Sequence, residues 1–123
     1  MMKVLFIDDE RIILTLMTHL LPPESYQVYT AGSVAEAWEI LEQVQPDVIC
    51  CDLVMPGVSG LDFLTQYRQK VSESVPVIVL SGSKEYSLLN KAFNLGAVAN
   101  LSKPFTGQDL ITLLDDVTQP PLS

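Results

Sequence analysis

Val48-Ile49-Cys50-Cys51-Asp52-Leu53-Val54-Met55-Pro56-Gly57-Val58-Ser59-Gly60 is an apolar run that ends in one carboxylate and then breaks into a Pro/Gly loop. The run is short, contains β-branched residues and stops at turn signals, which is the pattern of a buried strand delivering Asp52 to its carboxyl end. Other stretches repeat it. Lys3-Val4-Leu5-Phe6-Ile7 runs into Asp8-Asp9-Glu10, and Val77-Ile78-Val79-Leu80 runs into Ser81. Ala97-Val98-Ala99-Asn100-Leu101, less apolar and expected at a sheet edge, is followed by Lys103-Pro104-Phe105. A further strand is expected at Tyr26-Gln27-Val28-Tyr29-Thr30-Ala31. Continuous rather than alternating apolar strands point to a parallel sheet covered on both faces.

Helical patterns fill the intervals. After Arg11 the apolar residues Ile12, Ile13, Leu16, Met17 and Leu20 form the stripe of an amphipathic helix, terminated by Pro22-Pro23. Ser33-Val34-Ala35-Glu36 reads as a capping box opening a helix to about Gln43, with Trp38 as a packing residue. Leu61, Phe63, Leu64 and Tyr67 mark a third helix that fades at Ser72-Glu73-Ser74. Ser83 is expected to cap a fourth, with Leu88, Leu89, Ala92 and Phe93 facing inward and Gly96 as its stop. Thr106 is expected to cap a fifth, with Leu110, Leu113, Leu114 and Val117 on one buried face. Five strands alternating with five helices predict a single doubly wound α/β domain with right-handed crossovers. Residues 1–118 form that domain, and 119–123 read as a tail or the start of a linker.

Composition bounds the rest. With 123 residues, 48% of them hydrophobic and 18% charged, the chain can fill one compact soluble core. No apolar run approaches the length of a membrane span, and the cytoplasm is the expected compartment. A net charge of -8 disfavours direct contact with nucleic acid or an anionic membrane. Cys50 and Cys51 are adjacent and point to opposite faces, so they are expected as buried free thiols. His19 stands alone and is expected at a solvated or partly packed position on the first helix, with phosphate carriage as the weaker alternative.

In a doubly wound sheet, ligands sit beyond the carboxyl ends of the strands, where four of these five strands carry Asp8-Asp9, Asp52, Ser81 and Lys103. Three carboxylates there would repel. At about 5 Å and an effective dielectric near 20, each like-charged pair costs about 3 kcal/mol. A hard divalent cation such as Mg2+ suits such a cluster, with Lys103 offsetting further charge. A phosphoryl group could then join, with Asp52 as nucleophile, Mg2+ and Lys103 neutralising the transferring oxygens, and Ser81 donating a hydroxyl hydrogen bond. Glu10 reads more simply as a first-turn helix acid than as a ligand.

Asp8-Asp9, Asp52 with Met55-Pro56-Gly57 and Gly60, Ser81-Gly82, and Lys103-Pro104-Phe105 together make the chain resemble the receiver domains of two-component response regulators over essentially its whole length. The resemblance implies a flavodoxin-like sheet in the order 2-1-3-4-5. It implies that Asp52 accepts phosphate from a sensor histidine kinase, a histidine phosphotransfer protein or a small phosphodonor. Asp9, Asp52 and the backbone carbonyl of Val54 would bind Mg2+ directly, and Asp8 through water. Lys103 would contact the phosphoryl oxygens, with its peptide to Pro104 cis. Ser81 would move toward the phosphate and couple Asp52 to the face made by the fourth helix, fifth strand and fifth helix, which also offers a homodimer surface.

One departure stands out. Receivers usually carry Tyr or Phe three residues before the lysine, where this chain has Asn100. Tyr86 is the candidate substitute on that surface. Two function classes follow: a phosphorylation-switched signalling domain, and an interaction module that keeps the shape without using phosphate. A metal-dependent phosphatase acting on outside substrates is the weaker third, because no general acid accompanies Asp52. The chain is not expected to be an enzyme; its only chemistry is expected to be uptake and slow loss of its own phosphoryl group.

Overall fold

The computed structural model describes residues 1–71, 74–82 and 87–119. Among these, β1 (Met2–Ile7), α1 (Arg11–Leu20), β2 (Tyr26–Ala31), α2 (Val34–Gln43), β3 (Val48–Asp52), α3 (Gly60–Lys70), β4 (Val77–Ser81), α4 (Leu89–Asn94), β5 (Ala99–Ser102) and α5 (Gly107–Thr118) follow in order. The five strands form one parallel sheet in the order β2-β1-β3-β4-β5. The chain thus winds outward from β1 to β2 on one side and from β3 to β5 on the other, and the switch between β1 and β3 opens a crevice at their carboxyl ends.

Strand residues alternate between two cores. Leu5, Ile7, Ile49, Cys51, Val77 and Val79 pack with Phe63, Leu64 and Tyr67 of α3. Val4, Phe6, Cys50, Ile78 and Leu80 pack with Met17 of α1 and with Leu110 and Leu114 of α5. Cys50 and Cys51 lie in different cores and are free and buried, as expected of adjacent strand residues, and burial pushes both thiols well up from their ordinary range. Trp38 packs on Phe63 and Tyr67, with ring centroids 5.4 and 6.3 Å away, and Lys70 Nζ lies over its ring.

Four local expectations are corrected. On α1 the covered line is Leu14 and Met17, continued by Leu21 past the helix end; these residues recur at i, i+3 and i+7. Ile13 and Leu20 flank that line partly buried, while Ile12 is 81% exposed and Leu16 45% exposed. The expected stripe was rotated because Arg11–Leu20 is apolar around more than one face, so spacing alone did not select the buried side. Phe93 is likewise exposed on α4, where Ala92 takes the buried position. Strand β5 begins at Ala99 rather than Ala97 because Gly96, at φ +107, closes α4 in a turn whose next N–H, that of Ala97, donates back to the Ala92 carbonyl. At the start of α2, Ser33 Oγ accepts from the Glu36 N–H, but the Glu36 carboxylate reaches the Gly32 N–H rather than that of Ser33. Only half of a capping box forms there, whereas Ser59/Asp62 on α3 and Thr106/Asp109 on α5 form complete ones. The expected roles of Ser83 and Tyr86, the fade at Ser72-Glu73 and the tail 120–123 lie outside the described residues.

Candidate phosphoryl and metal site

Parallel pairing brings the polar strand ends together. Asp8 follows β1 directly, Asp52 is the last residue of β3 opposite Leu80 of β4, and Ser81 is opposite Ser102, the residue before Lys103. Asp8 is fully buried and Asp52 is 4% exposed, while Asp9 faces solvent. Carboxylate oxygens of Asp8, Asp9 and Asp52 all lie within 4.8 Å of one another. Lys103 Nζ donates to Asp8 Oδ2 at 3.1 Å and lies 3.4 Å from Asp52 Oδ1. The remaining Asp8 oxygen, Oδ1, accepts the Glu10 backbone N–H at 3.0 Å.

Two loops fix this arrangement. The Leu53 N–H donates to the Leu80 carbonyl, and the Gly60 N–H donates to the Leu53 carbonyl, so the turn after Asp52 is tied both to β4 and to the start of α3. The Lys103 N–H donates to the Ser81 carbonyl at 2.7 Å, and the Lys103–Pro104 peptide is cis, as expected. Ser81 is 2% exposed, and its hydroxyl donates to Asn100 Oδ1 at 2.6 Å; Asn100 Nδ2 donates in turn to Ser102 Oγ at 3.3 Å.

The electrostatics are those of an undercompensated acid cluster. Burial first, and then the neighbouring Asp8 charge, push the Asp52 carboxyl up to about 6 from the ordinary aspartate value of 3.8, against the opposing pull of Lys103. Burial works to lower the Lys103 ammonium, but its hydrogen bond to Asp8 and the charges of Asp52 and Asp8 outweigh that, so it stays protonated above the usual lysine range. One lysine therefore faces three carboxylates. Clustered hard oxygen donors left short of positive charge are a donor set that suits Mg2+.

Asp8, Asp9, Asp52 and Lys103 come together in this crevice, Ser81 ends the neighbouring β4 with its hydroxyl on Asn100, and Val54 lies in the loop two residues beyond Asp52. His19 is outside it, on the exposed side of α1 with Nδ1 2.8 Å from the Thr15 carbonyl. Two neighbours play parts that the sequence did not show. Glu10, expected as a first-turn acid of α1, stands instead at its N-cap position, with Oε1 4.0 Å from Lys103 Nζ. Asn100 was singled out as a departure, but its bond to Ser81 was missed; strand alternation, which places residues 100 and 102 on one face, was the available signal.

Comparison with known proteins agrees with this geometry. The family model described as response regulator receiver domain matches residues 4–115. Sporulation initiation phosphotransferase F of Bacillus subtilis (strain 168) is 28% identical over 103 residues, covering 84% of this chain and 82% of that protein. The uncharacterized transcriptional regulatory protein YesN of the same organism is 36% identical over 120 residues, 95% of this chain. The chain spans only 32% of YesN, 23% of the DNA-binding transcriptional regulator NtrC of Azospirillum brasilense and 55% of PdtaR of Mycobacterium tuberculosis. Among solved structures, the chemotaxis response regulator CheY4 of Vibrio cholerae superposes with a TM-score of 0.86 at 30% identity, over 95% of this chain and 98% of that one. A receiver domain protein from Clostridium thermocellum gives 0.87 at 32% identity, over 96% and 94%. The matched residues contain every acidic and basic group of the crevice, and the chain belongs to the response regulator receiver domain family.

Proposed function

We propose that Asp52 is a phosphoacceptor, and that its phosphorylation switches an interaction surface in two-component signalling. The observation that carries this is the placement of a buried carboxylate at the end of β3, 3.4 Å from Lys103 and inside a cluster of three acids. In the transfer step an Asp52 carboxylate oxygen attacks phosphorus. An O–P bond forms as the bond from phosphorus to the donor breaks, and the leaving group keeps that electron pair. Lys103 offsets charge on the phosphoryl oxygens, and Ser81 supplies a hydroxyl donor at the same strand edge. Mg2+, when bound, neutralises the transferring oxygens as a Lewis acid. Asp9, Asp52 and the Val54 carbonyl would hold it directly and Asp8 through water. Water later attacks phosphorus, returning the Asp52 carboxylate and inorganic phosphate, so catalysis is confined to the chain's own phosphoryl group.

The donor is a phosphohistidine on a sensor kinase or phosphotransfer protein, in keeping with the phosphotransferase relative. The reading places the exchange in the cytoplasm; among the described residues no helix is long and apolar enough to cross a membrane. A net charge of -8 favours protein partners over nucleic acid, and the face of α4, β5 and α5 is the surface offered to a second copy or a target.

Incubation with Mg2+ and acetyl phosphate is expected to add one phosphate-sized mass to the parent and none to Asp52→Asn. Absence of the adduct from the parent, or its survival in Asp52→Asn, would point instead to a phosphate-independent interaction module.

A further inference from the structure

We propose that Asn100 is a positioning residue, a polar latch that holds the Ser81 hydroxyl away from Asp52 until an anion on Asp52 draws it over. The inference rests on the reading of Asp52 as phosphoacceptor and adds the group that competes with the phosphoryl oxygen for Ser81.

A serine hydroxyl carries one proton to donate. In this structure the Ser81 proton is committed to Asn100 Oδ1 at 2.6 Å, the short end of the range for O–H···O bonds. Ser81 is buried at the end of β4, one residue past Leu80, the register partner of Asp52, so a turn of its side chain away from Asn100 would carry the hydroxyl toward a group on Asp52. A phosphoryl oxygen is charged, and a hydrogen bond to an ionised acceptor is roughly twice as strong as one to a neutral amide oxygen. The proton therefore transfers its allegiance when Asp52 is phosphorylated.

What Asn100 does next follows from its surroundings. It sits on the edge strand β5 and is partly exposed, so a carboxamide oxygen released by Ser81 turns to water at little cost. Its amide nitrogen is already tied to Ser102 Oγ, one residue before Lys103, and the Lys103 N–H is tied to the Ser81 carbonyl. Ser81, Asn100, Ser102 and Lys103 thus form a closed set of contacts between β4 and β5. A change of partner at Ser81 is written onto the outer edge of β5 without an aromatic ring.

A double-mutant cycle tests the latch, with beryllofluoride plus Mg2+ as the phosphoryl mimic and amide NMR as the readout of half-saturation. Asn100→Ala removes the competing acceptor and is expected to lower the half-saturating concentration about three- to tenfold, the net worth of one neutral hydrogen bond. On the Ser81→Ala background the same change is expected to have less than about a twofold effect, because there is no proton left to compete for. In the parent, the Asn100 side-chain amide resonances are expected to move on saturation.

Equal effects of Asn100→Ala on both backgrounds, weaker binding in Asn100→Ala, or a stationary Asn100 amide in the saturated parent would each overturn the latch. If the parent neither binds the mimic nor gains an adduct from acetyl phosphate, the phosphoacceptor reading falls and the latch with it. A parent modified on Asp52 with additive variants overturns the latch alone.

Discussion

Gly60→Ala is expected to destabilise the domain by about 3 kcal/mol, lowering the melting temperature by about 10 °C, although it adds a single methyl group to the best helix former. Gly60 opens α3 directly against the end of β3, and a Cβ there would stand 2.2 Å from the Asp52 carbonyl oxygen and 3.0 Å from the Leu53 Cα. Both obstacles are backbone, so no rotamer change relieves the overlap. The helix must back away, and in doing so it strains the Gly60 N–H bond to the Leu53 carbonyl and unseats Phe63 and Leu64, both fully buried. Asp52 shares the peptide that is struck, so phosphoryl uptake should slow in the folded fraction as well. Gly57 serves as the control. It has φ +81 and open space around it, so Gly57→Ala costs only about 1 kcal/mol of backbone strain. Thermal melts of the two variants check the ranking, and a Gly60→Ala protein as stable as Gly57→Ala would refute the close-approach argument.

The contrast between these glycines shows where sequence reading works. Strand ends were legible: the apolar runs to Asp52 and Ser81 stop where β3 and β4 stop, because fully buried strands tolerate polar groups only at their exits. The site was legible for the same reason, since parallel pairing brings every strand's carboxyl end to one edge. Helix faces were less legible. α1 offers apolar residues on several sides, and the sheet and α5 decide which side is covered; Ile12 and Leu16 were left outside by partners that the local spacing does not encode. Gly60 and Asn100 mark a second limit. Both matter through contacts across the fold, one with the Asp52 main chain and one with the Ser81 hydroxyl, and neither distance is written in the neighbouring residues.

Asp52→Asn is expected to stabilise the metal-free domain by about 2–3 kcal/mol near neutral pH, while abolishing phosphoryl uptake. The carboxyl of Asp52 is held up to about 6 in the folded chain, by burial and then by Asp8, against 3.8 for an ordinary aspartate. An acid whose folded value is raised binds its proton more tightly when folded. Ionised Asp52 therefore opposes folding above about pH 6, and that opposition fades as pH falls through 6 toward 4. Asparagine keeps the size and planarity of the side chain without the charge, leaving Lys103 paired with Asp8 at 3.1 Å. The stability difference between Asp52→Asn and the parent should thus be largest above about pH 7, shrink as pH falls through 6 and disappear below about pH 3.5, as denaturant unfolding across that range would show. Mg2+ should narrow the gap from the other side, raising the melting temperature of the parent more than that of the variant, because the parent offers one more carboxylate to the cation. A difference independent of pH, or a variant less stable than the parent at neutral pH, would mean that Lys103 already satisfies Asp52. The converse result would show a domain that gives up folding free energy to keep an undercompensated nucleophile charged beside Lys103.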